Sequence, residues 1–179
     1  MSGAVARMIR TLLVAFCLLL ASQAFAGDLD ALDRDNGFGR ARLGTSVETL
    51  EGIELITERA ARGTSLFALS GAMPPLGEAH LDDVTLGFYE GRLYFVALFT
   101  SGRRDAQAAL SALQAAYGPG TAIVGDVPEY VWQGQRVSLH FRQDPVTEMG
   151  MVGFTSRAID MQMKHRSQGE SLPANAATD

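Results

Sequence analysis

Alternating apolar and polar residues predict two β-hairpins in the middle of the chain. The first joins Val84–Tyr89 to Arg92–Thr100 through a Glu-Gly turn, and the second joins Tyr130–Trp132 to Arg136–Arg142. The segment Arg92–Thr100 is apolar on both sides, which predicts a central strand of a sheet. The segment Arg136–Arg142 alternates, which predicts a strand with one face in solvent.

Helical spacing marks three further segments. Apolar residues recur every three or four positions over Arg103–Tyr117, and glycine and proline end this pattern at 118–120. A second helix is predicted at Ala158–His165, and a short one after Thr45, which has the capping-box spacing with Glu48. Additional strands are predicted at 38–43, 53–58, 65–70 and 149–156.

The order of these elements predicts an α+β fold, with a mainly antiparallel sheet and helices packed on one face, because the βαβ alternation of a parallel sheet is missing. Helix followed by strands occurs at 45–100 and again at 103–156, so two loosely similar halves are one interpretation. We predict a single domain at 38–166, a flexible leader at 27–37 and a disordered tail at 167–179.

The first 26 residues have the pattern of a secretory signal peptide. Arg7 and Arg10 precede the apolar run Leu12–Ala21, and an Ala-Phe-Ala site predicts cleavage before Gly27. The run is about half as long as the roughly 20 residues that a membrane-spanning helix needs. We therefore expect a bacterial periplasmic or secreted protein with no transmembrane segment after cleavage.

Charge and cysteine content narrow the function classes. Cleavage removes two of the 15 basic residues and leaves 13 against 20 acidic ones, a formal charge of −7. This balance disfavours nucleic-acid binding, which needs a basic surface to neutralise phosphates.

The only cysteine, Cys17, lies in the predicted signal peptide, so we expect the mature chain to have no disulfide, thiolate zinc site or cysteine nucleophile. We predict no metal, no cofactor and no catalytic residue from motifs, since patterns such as G-x-S-x-G are missing.

Aromatic residues on the two hairpins are the candidates for partner binding, because such rings bury a large area at a small cost in entropy. The alternative for the same rings is a place in the core. The four candidates are Tyr89, Tyr94, Tyr130 and Trp132.

Histidines and carboxylates give an alternative function. His80 stands next to a Leu-Asp-Asp sequence, and His140 is predicted on the solvent-facing side of its strand. Imidazole and carboxylate groups that the fold brings together perform general acid–base chemistry. A periplasmic hydrolase is the alternative, its site assembled from His80, Asp82, Asp83 or His140.

Three segments resemble small uncharacterised bacterial periplasmic proteins: FGRARLGT at 38–45, GFYEGRLY at 87–94, and AYGP at 116–119 followed by YVW at 130–132. The Leu-Gly-Thr sequence before a short helix is more distantly similar to SmpA/OmlA-type outer-membrane lipoproteins and to β-lactamase-inhibitor-like domains. The resemblance implies an α+β fold and a periplasmic location, and it carries over no catalytic residue. The lipoprotein cysteine of the SmpA/OmlA type is missing.

The leading hypothesis is a non-enzymatic module that binds a periplasmic or envelope protein, or another envelope component, through aromatic residues of a sheet face or through an edge strand. The hydrolase stands beside it as the alternative. A purely structural envelope protein is a third interpretation that the sequence does not separate from the first.

Overall fold

The structure, a computed structural model, describes residues 28–59, 63–71 and 74–170, so the predicted signal peptide lies outside the described residues. No helix within these ranges is both long enough and apolar enough to cross a membrane.

The elements in chain order are α1 (Leu29–Asp35), β1 (Gly37–Phe38), β2 (Ala41–Arg42), a 3-10 helix (Val47–Thr49), β3 (Ile53–Arg59), β4 (Thr64–Leu69), β5 (Asp83–Tyr89), β6 (Arg92–Thr100), α2 (Gly102–Tyr117), β7 (Thr121–Ile123), β8 (Glu129–Gln133), β9 (Val137–Gln143), β10 (Gly150–Ser156) and α3 (Arg157–Glu170).

Eight strands form one antiparallel sheet in the order β3-β4-β5-β6-β10-β9-β8-β7. The first four strands and the last four each follow one another directly in the chain, and α2 connects the two groups. The groups meet where β6 pairs with β10. The α+β fold with a mainly antiparallel sheet is confirmed, and β6 is a central strand because β5 and β10 flank it.

One face of the sheet carries the core. The strand register aligns Val96 and Leu98 of β6 with Phe154 and Val152 of β10, and all four side chains are at most 1% exposed. Helix α2 covers this face through a stripe of alanine, leucine and tyrosine residues at helical spacing. Gly150 permits the close approach, because a Cβ atom there would lie 2.9 Å from the Cβ of an α2 alanine.

Helix α1 lies within the segment 27–37, for which a flexible leader is predicted. Asp28 caps the helix by accepting a hydrogen bond from the Ala31 N–H group at 2.9 Å, and the Leu32 side chain is fully buried. The segment is too polar and too short to form a stable helix alone, so its contacts with the rest of the fold hold it in place.

Other boundaries also differ from the prediction. The strand predicted at 38–43 is a small hairpin of β1 and β2, because Gly39 takes a positive φ of 57° and turns the chain. The short helix after Thr45 is a single 3-10 turn, capped by the Ser46 hydroxyl. Helix α3 runs to Glu170, beyond the predicted end and into the segment predicted as a disordered tail, of which 171–179 lies outside the described residues.

The carboxylate of Asp33 fixes α1 to the opposite half of the chain. It accepts hydrogen bonds of 2.6–2.9 Å from the N–H groups of Gln135 and Arg136, in the turn between β8 and β9, and of Val137, the first residue of β9. A Cβ atom at Gly134 would collide with the same carboxylate. Burial opposes ionisation of Asp33, but the three N–H donors outweigh it and lower its pKa.

We expect Asp33→Asn to lower the free energy of unfolding at neutral pH by about 2 kcal/mol, because a neutral amide replaces a charged acceptor of three N–H groups. Because the pKa of Asp33 is lower in the folded protein, its ionised carboxylate stabilises the fold fully at pH values above its pKa in the unfolded chain, about 4. This stabilisation is lost as the pH falls through the pKa of Asp33 in the folded protein. Urea unfolding of wild type and variant therefore differs at pH ~7 and converges at pH ~2. The exposed Asp126→Asn is the control, and equal stability of the two variants at neutral pH would contradict the role of Asp33.

Candidate functional site

The sheet has a second face, which points away from α1 and α2 and which we call the open face. Successive strand residues alternate between faces, so Phe95, Ala97 and Phe99 lie opposite the core residues of β6. Helix α3 reaches one end of the open face, where the Arg166 guanidinium lies 5.7 Å from the centroid of the Tyr89 ring. The strands β4 to β10 contribute these residues to the open face: Leu66, Ala68, Asp83, Thr85, Tyr94, Phe95, Ala97, Phe99, Val131, Ser138, His140, Arg142, Met151, Gly153 and Thr155.

The middle of the open face is apolar and built from small residues with aromatic rings beside them. Gly153, Ala97 and Thr85 stand side by side on β10, β6 and β5. The Phe95 ring lies above Gly153, since a Cβ atom there would be 3.1 Å from that ring. A register shift after Gly87 lets Tyr94 lie on the same face, because a Cβ atom at Gly87 would meet its ring at 3.0 Å.

A hydrogen-bonded chain of three polar side chains lies at the β8–β9 side of the open face. The His140 Nε2 atom is 3.1 Å from the Ser138 Oγ atom, and its Nδ1 atom is 3.1 Å from a Glu129 carboxylate oxygen. The His140 and Glu129 side chains are 39% and 31% exposed, so solvent and ligands reach them. Hydroxyl, imidazole and carboxylate in this order are the groups of a nucleophile, a general base and an orienting acid.

The four aromatic candidates differ in burial. Trp132 is 2% exposed, and its Nε1–H group donates to the Gly118 carbonyl oxygen at 2.8 Å. Tyr130 pairs with Phe141 and therefore lies on the core side, where it is half-buried. Tyr89 is 4% exposed, and Tyr94 is the half-buried candidate in the middle of the open face.

The histidine and carboxylate candidates are dispersed in the structure. His80 and Asp82 are exposed in the loop before β5, and Asp83 accepts a hydrogen bond from the N–H group of Val84, the residue after it. Asp83 and His140 lie on β5 and β9, and the two strands between them separate these residues by roughly 14 Å. Among the described residues, no group of three or more His, Cys, Asp or Glu side chains is arranged to hold a metal ion.

Glu129 and Ser138 are the functional candidates that the sequence did not reveal. The alternation of β9 places Ser138 beside His140, two positions apart on one face. Glu129 comes from the neighbouring strand, so only the β8–β9 register brings its carboxylate to the imidazole.

Comparison of the chain with family models, with curated proteins and with solved structures finds no match. The similarity to SmpA/OmlA-type and β-lactamase-inhibitor-like domains therefore stays a prediction. The arguments about function that follow rest on the geometry of this chain.

We expect Trp132→Ala to lower the free energy of unfolding by about 3–5 kcal/mol, because it empties a fully packed site and leaves the Gly118 carbonyl without its donor. Tyr94→Ala, on the open face, is expected to lower the free energy of unfolding by less than half as much. Denaturant unfolding of both variants measures the difference. Equal losses would contradict the assignment of Trp132 to the core and of Tyr94 to the open face.

Proposed function

We propose that this chain is a periplasmic or secreted binding module that docks a protein partner on its open face. The observation that carries the proposal is the contrast between the two faces of one sheet. One face is buried beneath α1 and α2, whereas the other presents half-buried Phe95, Phe99 and Met151 side by side. Aromatic and methionine side chains are enriched in protein interfaces, where they bury area without fixing many torsions.

The dimensions of the open face favour a protein over a small ligand. Eight strands at about 4.8 Å spacing span roughly 34 Å, and strands of mostly five to nine residues extend for roughly 20 Å, which gives about 700 Å². One side of a standard protein interface buries about 800 Å². The face is therefore large enough for a specific complex.

The charge distribution on the open face indicates the surface chemistry of the partner. The middle, from Thr85 across to Gly153, has no charged side chain, and the charges stand around it, on Glu54, Asp83, Glu129 and Arg142. A partner that fits has an apolar centre and polar groups at its margin, the usual anatomy of a protein interface. Tyr94 supplies the aromatic anchor that the sequence predicted.

We expect a photo-crosslinking amino acid at Thr85 or Ala68 to trap one protein partner in the periplasm, because Thr85 lies in the middle of the open face and Ala68 lies next to it on β4. Adding Phe95→Arg to the same protein is expected to abolish the crosslink, since a long charged side chain then stands in the contact. The matched control places the crosslinker at Ser111, an exposed residue of α2 on the other side of the molecule. Urea unfolding of the Phe95→Arg protein checks that it is folded.

Three outcomes would overturn the docking proposal. The first is no crosslink from Thr85 or Ala68, and the second is the same product from Ser111. The third is a crosslink only to a second copy of this chain, which would make the open face a self-association surface. Sedimentation of the purified protein identifies that third case.

The Ser138–His140–Glu129 chain favours a second candidate function, acyl-ester hydrolysis. In that reaction the Ser138 oxygen attacks the carbonyl carbon while His140 takes the hydroxyl proton, and Glu129 holds the imidazole in position. The imidazolium then protonates the leaving alcohol, and water releases the acid in a second step. Gln133 and Thr155 are the register partners of Ser138 and supply nearby donors for the oxyanion.

We expect a fluorophosphonate probe to label Ser138 if this chain is catalytic, because such probes react with serines activated by a neighbouring base. Ser138→Ala and His140→Gln are expected to abolish labelling, whereas Ser111→Ala retains it. Mass spectrometry of the labelled peptide locates the modified residue. Absence of labelling in the wild-type protein would exclude the hydrolase and leave the docking proposal untouched.

A further inference from the structure

A cavity of about 400 Å³ lies at the end of the sheet where α3 begins. Its wall comes from five separate parts of the chain: Asn36 after α1, the segment after β2, the first residue of β6, the turn between β8 and β9, and the start of α3. Three arginines line it, Arg92, Arg136 and Arg157, and none of the residues in its described wall is acidic. The cavity thus concentrates positive charge in a chain that has 20 acidic and 15 basic residues.

Two of these arginines are outside the ion pairs of the described structure. Within residues 28–59, 63–71 and 74–170, the guanidinium groups of Arg92 and Arg136 form no ion pair. The Asp33 carboxylate accepts three backbone N–H groups at the β8–β9 turn and also attracts the Arg136 guanidinium, but it is not part of the cavity wall. A cavity wall that contains three arginines and no acidic residue is the arrangement of an anion site.

Backbone contacts hold the third arginine and the start of α3 in place. The Arg157 side chain donates a hydrogen bond to the Gly134 carbonyl oxygen, and its N–H group donates to the Arg136 carbonyl oxygen at 3.0 Å. The Ser156 hydroxyl accepts the N–H group of Ile159 at 3.5 Å, so it caps the helix. The positive end of a 14-residue helix therefore stands beside the arginines and adds to the same potential.

The remaining wall is suited to an apolar substituent. Leu43 and Ile159 are 7% and 9% exposed, and Met161 is 54% exposed. The volume lies in the range of small-molecule sites, which combine an apolar lining with a few polar groups that fix orientation. The ligand that fits is an anion joined to a short hydrocarbon group.

We propose that this cavity binds the phosphate group of an organic phosphate, either a soluble one or the headgroup of a lipid. A phosphate monoester carries about −1.5 to −2 charges near neutral pH, which matches two unpaired guanidinium groups better than the single charge of a carboxylate does. Arginine also binds phosphate through two parallel hydrogen bonds, which lysine does not. The proposal is independent of the docking face, because the cavity lies at the end of the sheet.

The test uses the mature chain, residues 27–179, and hexyl phosphate as the probe in isothermal titration calorimetry. We expect saturable binding that Arg92→Gln and Arg136→Gln each weaken about tenfold, the effect of one lost charge-assisted contact. The control is Arg104→Gln, an exposed arginine of α2 that is not part of the cavity wall and whose loss changes the net charge equally. Hexanol tests whether the hydrocarbon group binds without the phosphate.

Co-sedimentation with phosphatidylcholine vesicles that contain phosphatidic acid distinguishes the two sources of phosphate. Sedimentation that Arg136→Gln abolishes identifies a lipid headgroup, and hexyl phosphate binding without sedimentation identifies a soluble organic phosphate. Either result supports the site. Equal weakening by Arg104→Gln, equal affinity for hexanol, or no saturable binding in either assay would overturn it, and each of these results leaves the crosslinks from the open face unaffected.

Discussion

The pairing of β6 with β10 is the interaction on which the rest of the structure depends. It joins two groups of four strands into one sheet and aligns their apolar rows, so that α2 covers residues of both groups at once. A shift of this register by one residue would exchange the core-facing and open-face residues of a whole group, because strand side chains alternate with a period of two. The β6–β10 register therefore decides both which side chains are buried in the core and which lie on the open face.

Much of the architecture could be predicted from the chain, because strong local patterns decide it. The segment of β6 is apolar on both sides, and only a central strand satisfies such a pattern. Helix α1 could not be predicted, because its segment is short and rich in aspartate and its stability comes from Asp33 and Leu32 in the folded chain. Strand β7 was missed for a related reason, since Thr121–Ile123 is short, each of its residues is exposed, and it has no burial pattern to detect.

The candidate sites were less accessible to prediction than the fold. The alternation along β9 places Ser138 and His140 on one face, but the partner Glu129 depends on strand pairing. The arginine cavity draws on five segments of the chain, so no window of sequence contains it. Aromatic side chains were conspicuous in the sequence, yet two of the four, Trp132 and Tyr130, point into the core, because their strand turns them toward α2.

The contact of Asp33 with the β8–β9 turn joins residues 102 to 104 positions apart in the chain. Such a contact closes a loop that runs from the end of α1 to the start of β9, and loops of this length form late because many chain conformations must be given up first. The N-terminal helix therefore makes this contact only after the β8–β9 turn has formed. During synthesis from the N-terminus, the apolar face of the first half of the sheet stays uncovered until the second half has been made. The chain is most prone to aggregation in this interval.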